Sequence, residues 1–254
     1  MTTAGTIPGI HLRVWEESDS AMTIHINTDY SGISPYGLFI LLSIASGITV
    51  IFRLCIKRGI TVKKTLLLLA LIPASSWCCA CLYTFITSGG KRIGLASIGA
   101  AMGVYLAAIL VSLIQPGTGH RNIMLQNCTF ALPLMYSIAK LGCLSAGCCH
   151  GIEYSGPLSI KYSGAEAEVF PVQAVESAVF MAIFIYGLKA LRKHDPDSVR
   201  KIILLSAAAK FSLDFLRASH KHIIISSNQL CCLLMISCLL TAHYKRQKKA
   251  NSND

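Results

Sequence analysis

The segment KFSLDFLR places Lys210, Asp214 and Arg217 at i, i+4 and i+7, which puts all three on one face of a helix. The residues around them are apolar. Such a face cannot point at hydrocarbon, where an ionised group is costly unless it is paired or wetted. Lys140 and Glu176 interrupt two other apolar runs in the same way. Two chemistries fit these residues. One is a structural ion-pair network that fixes helix packing. The other is a polar cavity for an anion, in which lysine and arginine supply the positive charge and Asp214 holds one of them in place. At that depth a phospholipid headgroup is the most available anion. The charges alone predict a cationic cavity and no particular reaction.

A second constellation lies in AKLGCLSAGCCHG, residues 139–151, which holds Cys143, Cys148, Cys149 and His150. On paper these are four metal ligands. The spacing C-x4-C-C-H matches no zinc or haem signature. The chain has eleven cysteines, nearly all inside apolar runs, where cysteine serves as a small, soft apolar residue. No metal and no cofactor is therefore expected, and a disulfide involving Cys148 or Cys149 is left open.

The elements that carry these residues follow from composition. The 254-residue chain is 53% hydrophobic and 14% charged, too apolar for an ordinary soluble domain. The apolar residues fall into seven blocks, near 36–52, 65–87, 93–114, 123–147, 170–188, 202–216 and 223–244. A helix needs about 20 residues to cross about 30 Å of hydrocarbon, and runs without period-two alternation read as helices. The expected fold is an all-α polytopic membrane protein, a bundle of about seven transmembrane helices over 36–244. Residues 1–35 are read as a polar extracytoplasmic segment without a cleavable signal peptide, and 245–254 as a basic tail.

The net charge of +11 could point to nucleic acid, but its distribution argues for topology instead. Basic clusters at Arg53–Lys64, Lys189–Lys201 and Lys245–Lys249 all fall on one side of a seven-span layout. The positive-inside bias places that side, with the C-terminus, in the cytoplasm and the N-terminus outside. No nucleic-acid partner is expected. The glycine pairs Gly90/Gly94 and Gly99/Gly103 have the G-x-x-x-G spacing of closely packed membrane helices. Tyr36 opens the first block as an interfacial aromatic. Gln173 and Glu176 in FPVQAVES share a helix face at i, i+3.

In this order the pieces resemble the prolipoprotein diacylglyceryl transferases, over about residues 31–244. SPYGLFI is similar to that family's tyrosine-glycine start of the first span, and GGKRIGLASIGAAMG to its glycine-rich third-span motif. KLGCLSAGCCHG resembles its signature in the cysteine-containing form. FPVQAVES, KFSLDFLR and SSNQLCCL are similar to its last three motifs. The resemblance implies transfer of a diacylglyceryl group from phosphatidylglycerol to the lipobox cysteine of a prolipoprotein, with release of glycerol phosphate, in a bacterial inner membrane. It implies Lys140, Lys210, Asp214 and Arg217 as catalytic residues. It implies Tyr36, Gly90, Gly94, Gly99, Gly142, Gly147, Gly151, Gln173, Glu176 and Gln229 as substrate-binding ones. The sequence departs from the family at Lys140 and Lys210, where arginine is usual, and at Gly94, where an aromatic ring is usual. Lysine keeps the charge and loses the planar fork that matches phosphate. The alternatives are a relative of the same fold with a different lipid donor or acceptor or little activity, and a non-enzymatic thiol- or metal-binding membrane protein.

Overall fold

The computed structural model describes residues 13–15, 23–28, 34–117, 119–222 and 224–251. Among them all seven apolar blocks are helical. Helices α1 (Pro35–Lys57), α2 (Val62–Thr87), α3 (Ser97–Ile114), α4 (His120–Ser145) and α5 (Val172–Arg192) are long and apolar enough to cross a membrane. Helix α6 (Ser198–Asp214) has 17 residues and is interrupted by Lys210 and Asp214. Helix α7 (Ser227–Asn251) continues through the basic residues after 244 without a break. Many large apolar side chains stand open on these helices, among them Leu38, Leu41, Leu66, Trp77, Leu113 and Leu234. Water would not tolerate so much exposed apolar surface; lipid tails take it.

A feature outside the helical expectation is a small sheet. Strand β1 (Arg13–Trp15) runs antiparallel to β2 (Thr23–Ile26), with Arg13 opposite His25. Strand β2 runs parallel to β3 (Ile160–Tyr162), with Ile24 opposite Ile160. Strands of three and four residues are too short to show alternation in the sequence. The pairing of β1 with β2 is local, whereas that of β2 with β3 joins residues more than a hundred positions apart.

The described residues form two compact units, one drawn from Met1–Ser43, Ser137–Ala182 and Leu204–Asp254, the other from Ile44–Tyr136 and Ile183–Ile203. The second unit has an apolar core that includes Ile51, Leu68, Ile72, Val104, Val111 and Met124. Cys55 and Cys128 are buried in it, and Cys55 Sγ accepts a hydrogen bond from Asn127 Nδ2 at 3.3 Å. Here α3 lies against α2 with no room for side chains. A Cβ on Gly99 would stand 2.6 Å from the Cys79 carbonyl oxygen and 2.7 Å from Ala80 Cα. The G-x-x-x-G spacing is thus a helix-packing device at Gly99 and Gly103.

In the first unit Ile26, Ile160, Tyr162 and Val169 bury one face of the sheet, with Leu144 of α4 packed on it. Gly142 brings α4 onto α1: a Cβ there would be 3.0 Å from Phe39 Cβ and 3.3 Å from the Tyr36 carbonyl oxygen. These packings hold the end of α4 in place, and that end carries part of the site.

Candidate functional site

Within the first unit the ionisable residues of three helices converge on one carboxylate. Glu176, one turn into α5, is fully buried. Lys140 Nζ, from the last turns of α4, lies 2.8 Å from its Oε2. Lys210 Nζ, from α6, lies 3.1 Å from its Oε1. Arg217 Nη2 donates to both oxygens, at 2.7 Å and 2.9 Å. Lys140 and Lys210 are each only 5% exposed. Two buried ammonium groups and the part-buried Arg217 guanidinium therefore share one carboxylate, and it is Glu176 rather than Asp214 that gathers them.

The expectation that Lys210, Asp214 and Arg217 lie on one helical face needs correction at its end. Helix α6 stops at Asp214. The Arg217 amide turns back to the Asp214 carbonyl at 3.1 Å, and the Leu216 amide to that of Leu213 at 3.2 Å. The backbone is then captured by the loop after α4: Ile152 N–H donates to Leu216 O at 3.0 Å, and Ala218 N–H to His150 O at 3.2 Å. Arg217 and Gly151 form the bridge between the two segments. A Cβ on Gly151 would stand 2.5 Å from Phe170 O and 3.0 Å from Leu216 O, so the bridge requires glycine. The guanidinium thus reaches Glu176 from a turn rather than from a helix.

Asp214 does different work. One oxygen accepts from the Ser226 hydroxyl and lies 3.4 Å from His220 Nε2; the other is 3.4 Å from Arg217 Nε. Ser226 caps α7. Its Oγ accepts from the Gln229 N–H at 3.1 Å, while its own N–H donates to Gln229 Oε1 at 2.9 Å. This reciprocal pair is a capping box, and S-x-x-Q in SSNQ is its sequence signature. Gln229 also donates from Nε2 to Phe211 O at 3.2 Å, so it is engaged in joining α6 to α7. Ser226 and His220 are site neighbours that the charge pattern did not disclose.

Gln173 is fully buried one turn before Glu176 and donates from Nε2 to Cys148 O at 2.9 Å and to the Tyr162 hydroxyl at 3.2 Å. Burial pushes the Tyr162 phenol up to about 12, against the opposing effect of that hydrogen bond. Gly147, with φ +68°, turns the chain at the end of α4 beside the Tyr162 ring. Tyr36 sits half-exposed at the start of α1 by Gly142. Gly90 and Gly94 belong to the second unit with Gly99; Gly90, at φ +81°, shapes a turn there. The structure therefore gathers Lys140, Gln173, Glu176, Lys210, Asp214 and Arg217 in one unit together with Tyr36, Gly142, Gly147, Gly151 and Gln229.

A cavity of about 300 Å³ is lined by Cys149, His150, Arg217, Ala218 and Ser219. Arg217 is thus shared between the buried array and the cavity. Cys143, Cys148 and Cys149 cluster at the same end of α4, with their sulfurs all within 4.8 Å of one another. The neighbouring sulfurs hold the Cys149 thiol below the ordinary range and push the Cys148 thiol above it. With three cations against two carboxylates, the array is net positive, which suits an anion at Arg217.

The family model for prolipoprotein diacylglyceryl transferase matches residues 23–244. The chain is 28% identical over 182 residues to a protein of Dehalococcoides mccartyi named phosphatidylglycerol–prolipoprotein diacylglyceryl transferase. That match covers 66% of this chain and 66% of the relative. Together with its apolar helices, the family match makes the chain a multi-pass membrane protein.

Proposed function

The chain belongs to the prolipoprotein diacylglyceryl transferase family, and from that premise we propose that it transfers the sn-1,2-diacylglyceryl group of phosphatidylglycerol to the lipobox cysteine thiol of a prolipoprotein. The products are a thioether and glycerol phosphate. The observation that carries this reading is the Glu176-centred set of Lys140, Lys210 and Arg217, with Arg217 lining a cavity.

The acceptor sulfur forms a bond to the glycerol carbon while the bond from that carbon to the phosphate oxygen breaks. Negative charge grows on the departing phosphate. Preorganised donors at such a place are typically worth about 10²–10³ in kcat each. Arg217 is the group that meets the phosphate; Lys140 and Lys210 add positive potential behind it. Glu176 makes three like charges tolerable in one buried spot and fixes their directions. Asp214 adds an ion-pair contact at 3.4 Å to Arg217 Nε and accepts a hydrogen bond from Ser226 of the α7 cap.

On this reading the helices cross a bacterial inner membrane with the N-terminus outside and the C-terminus in the cytoplasm, an orientation that the basic clusters support. A second reading is a different phosphate-bearing lipid donor or a different acceptor. It is favoured by Lys140 and Lys210, each of which brings a single Nζ where the family usually has a guanidinium.

The test supplies the membrane protein with labelled phosphatidylglycerol and a lipobox peptide, and looks for the diacylglyceryl mass increment on the peptide cysteine. Lys140→Ala, Lys210→Ala and Arg217→Ala run beside it. Transfer by the unmodified protein, lost in Arg217→Ala, is expected. No transfer across several donors and acceptors removes the proposal, and transfer surviving all three substitutions removes the residue assignment.

A further inference from the structure

The transferase chemistry as described leaves the three thiols at the end of α4 without a role. Cys143 lies in the last turn of α4, and Cys148 and Cys149 follow in the turn after it. Gly147 at φ +68° and Cys149 at φ +56° fold the chain back on itself. The three sulfurs end within 4.8 Å of one another, although the sequence spacing matches no zinc signature. Zinc–sulfur bonds of about 2.3 Å put three thiolates on one ion about 3.8–4.0 Å apart. Closing the observed cluster onto an ion therefore takes a movement of no more than about 1 Å. A disulfide would join two of the sulfurs and strand the third.

Charge supports the same occupant. A divalent ion with three thiolates carries one net negative charge. Its neighbours are Lys140, one turn back on α4, and Arg217, both members of the net-positive array. Cys148 and Cys149 are exposed, which gives an ion a way in. Three protein ligands leave a fourth position open, as in zinc sites that handle a substrate. Cys149 lines the cavity that Arg217 also lines, so the ion would sit at the edge of the cavity.

We propose that Cys143, Cys148 and Cys149 form a three-thiolate zinc site whose fourth position takes the acceptor cysteine as a thiolate. The second half rests on the transferase reading. The acceptor thiol displaces a zinc-bound water, and its proton passes to water as hydronium. The zinc-bound sulfur then uses an electron pair to form the S–C bond to the glycerol carbon. The C–O bond to phosphate breaks, and the phosphate oxygen leaves with the bonding pair. The product thioether is neutral, binds zinc more weakly than a thiolate does, and departs.

The test is metal analysis of the full-length protein in detergent under reducing conditions, followed by exchange of zinc for cobalt. One zinc per chain and a thiolate-to-cobalt charge-transfer band are expected. Cys148→Ser, at an exposed position, should weaken zinc binding by more than the roughly 10–100-fold that losing a ligand's supporting neighbour costs. A lipobox peptide should shift the cobalt band, and the same peptide with serine for cysteine should not. Sub-stoichiometric zinc with no cobalt band, stoichiometric copper, or metal retained by the triple serine variant would overturn the site. A bound metal whose band ignores the peptide overturns the thiolate half. A peptide-shifted band in a protein that performs no transfer leaves the zinc site standing and removes the transferase reading instead.

Discussion

Glu176→Gln is the most informative single change. It keeps the shape and removes the charge that Lys140, Lys210 and Arg217 share through contacts of 2.7–3.1 Å. At an effective dielectric constant of about 20, each contact near 3 Å is worth about 5–6 kcal/mol before desolvation is counted. Desolvation offsets much of this. The net cost of breaking a buried pair by removing one partner is about 3–5 kcal/mol. The neutral amide also turns an N–H₂ toward at least one ammonium or guanidinium. For a chain of this size, about 2–4 °C per kcal/mol converts the loss to a fall of about 6–20 °C in the unfolding midpoint. The assay is thermal unfolding in detergent followed by circular dichroism. A second arm adds phosphatidylglycerol. Its phosphate should stabilise Glu176→Gln more than the unmodified protein, because it replaces the missing anion. A midpoint within about 2 °C of the unmodified protein would refute the view that Glu176 neutralises the array.

Ser226→Ala should lower stability by about 1–2 kcal/mol through loss of the α7 cap, with partial recovery in Ser226→Thr, read from the same melts. It also removes a hydroxyl donor from Asp214, so transfer by this variant should fall more than its melting point alone would explain. Gly99→Ala should cost about 1–3 kcal/mol by forcing α3 away from α2, measured by chemical or thermal unfolding. Tyr162 should titrate near pH 12, above its ordinary 10.0, and Tyr162→Phe should remove that late component of phenolate absorbance. The raised value means that the unfolded chain ionises first. The contribution of Tyr162 is therefore complete below about pH 10 and is lost as the pH rises toward 12.

The sequence by itself determined the helices and the residues at stake. Hydrocarbon accepts a backbone only when its hydrogen bonds are satisfied, so long apolar runs without period-two alternation read as helices, and five of the helices are long and apolar enough to cross a membrane. Charges inside such runs had to avoid lipid, which singled out Lys140, Glu176, Lys210 and Asp214. The S-x-x-Q of the α7 cap entered the sequence reading only as part of the family-like motif SSNQLCCL, and its capping hydrogen bonds came from the structure.

Only the tertiary structure decided which charge answers which. Glu176 meets Lys210 and Arg217 across 34 and 41 positions of sequence, a pairing set by where helices pack. Helical periodicity can relate residues along one helix and is silent between helices. It also overran the end of α6, since Arg217 is held by a bridge to Gly151 from another segment. Strand β3 was hidden for the same reason, its register resting on β2 more than a hundred positions away. The three cysteines gained a shared location from two left-handed backbone positions, Gly147 and Cys149, a geometry that spacing in the sequence does not specify.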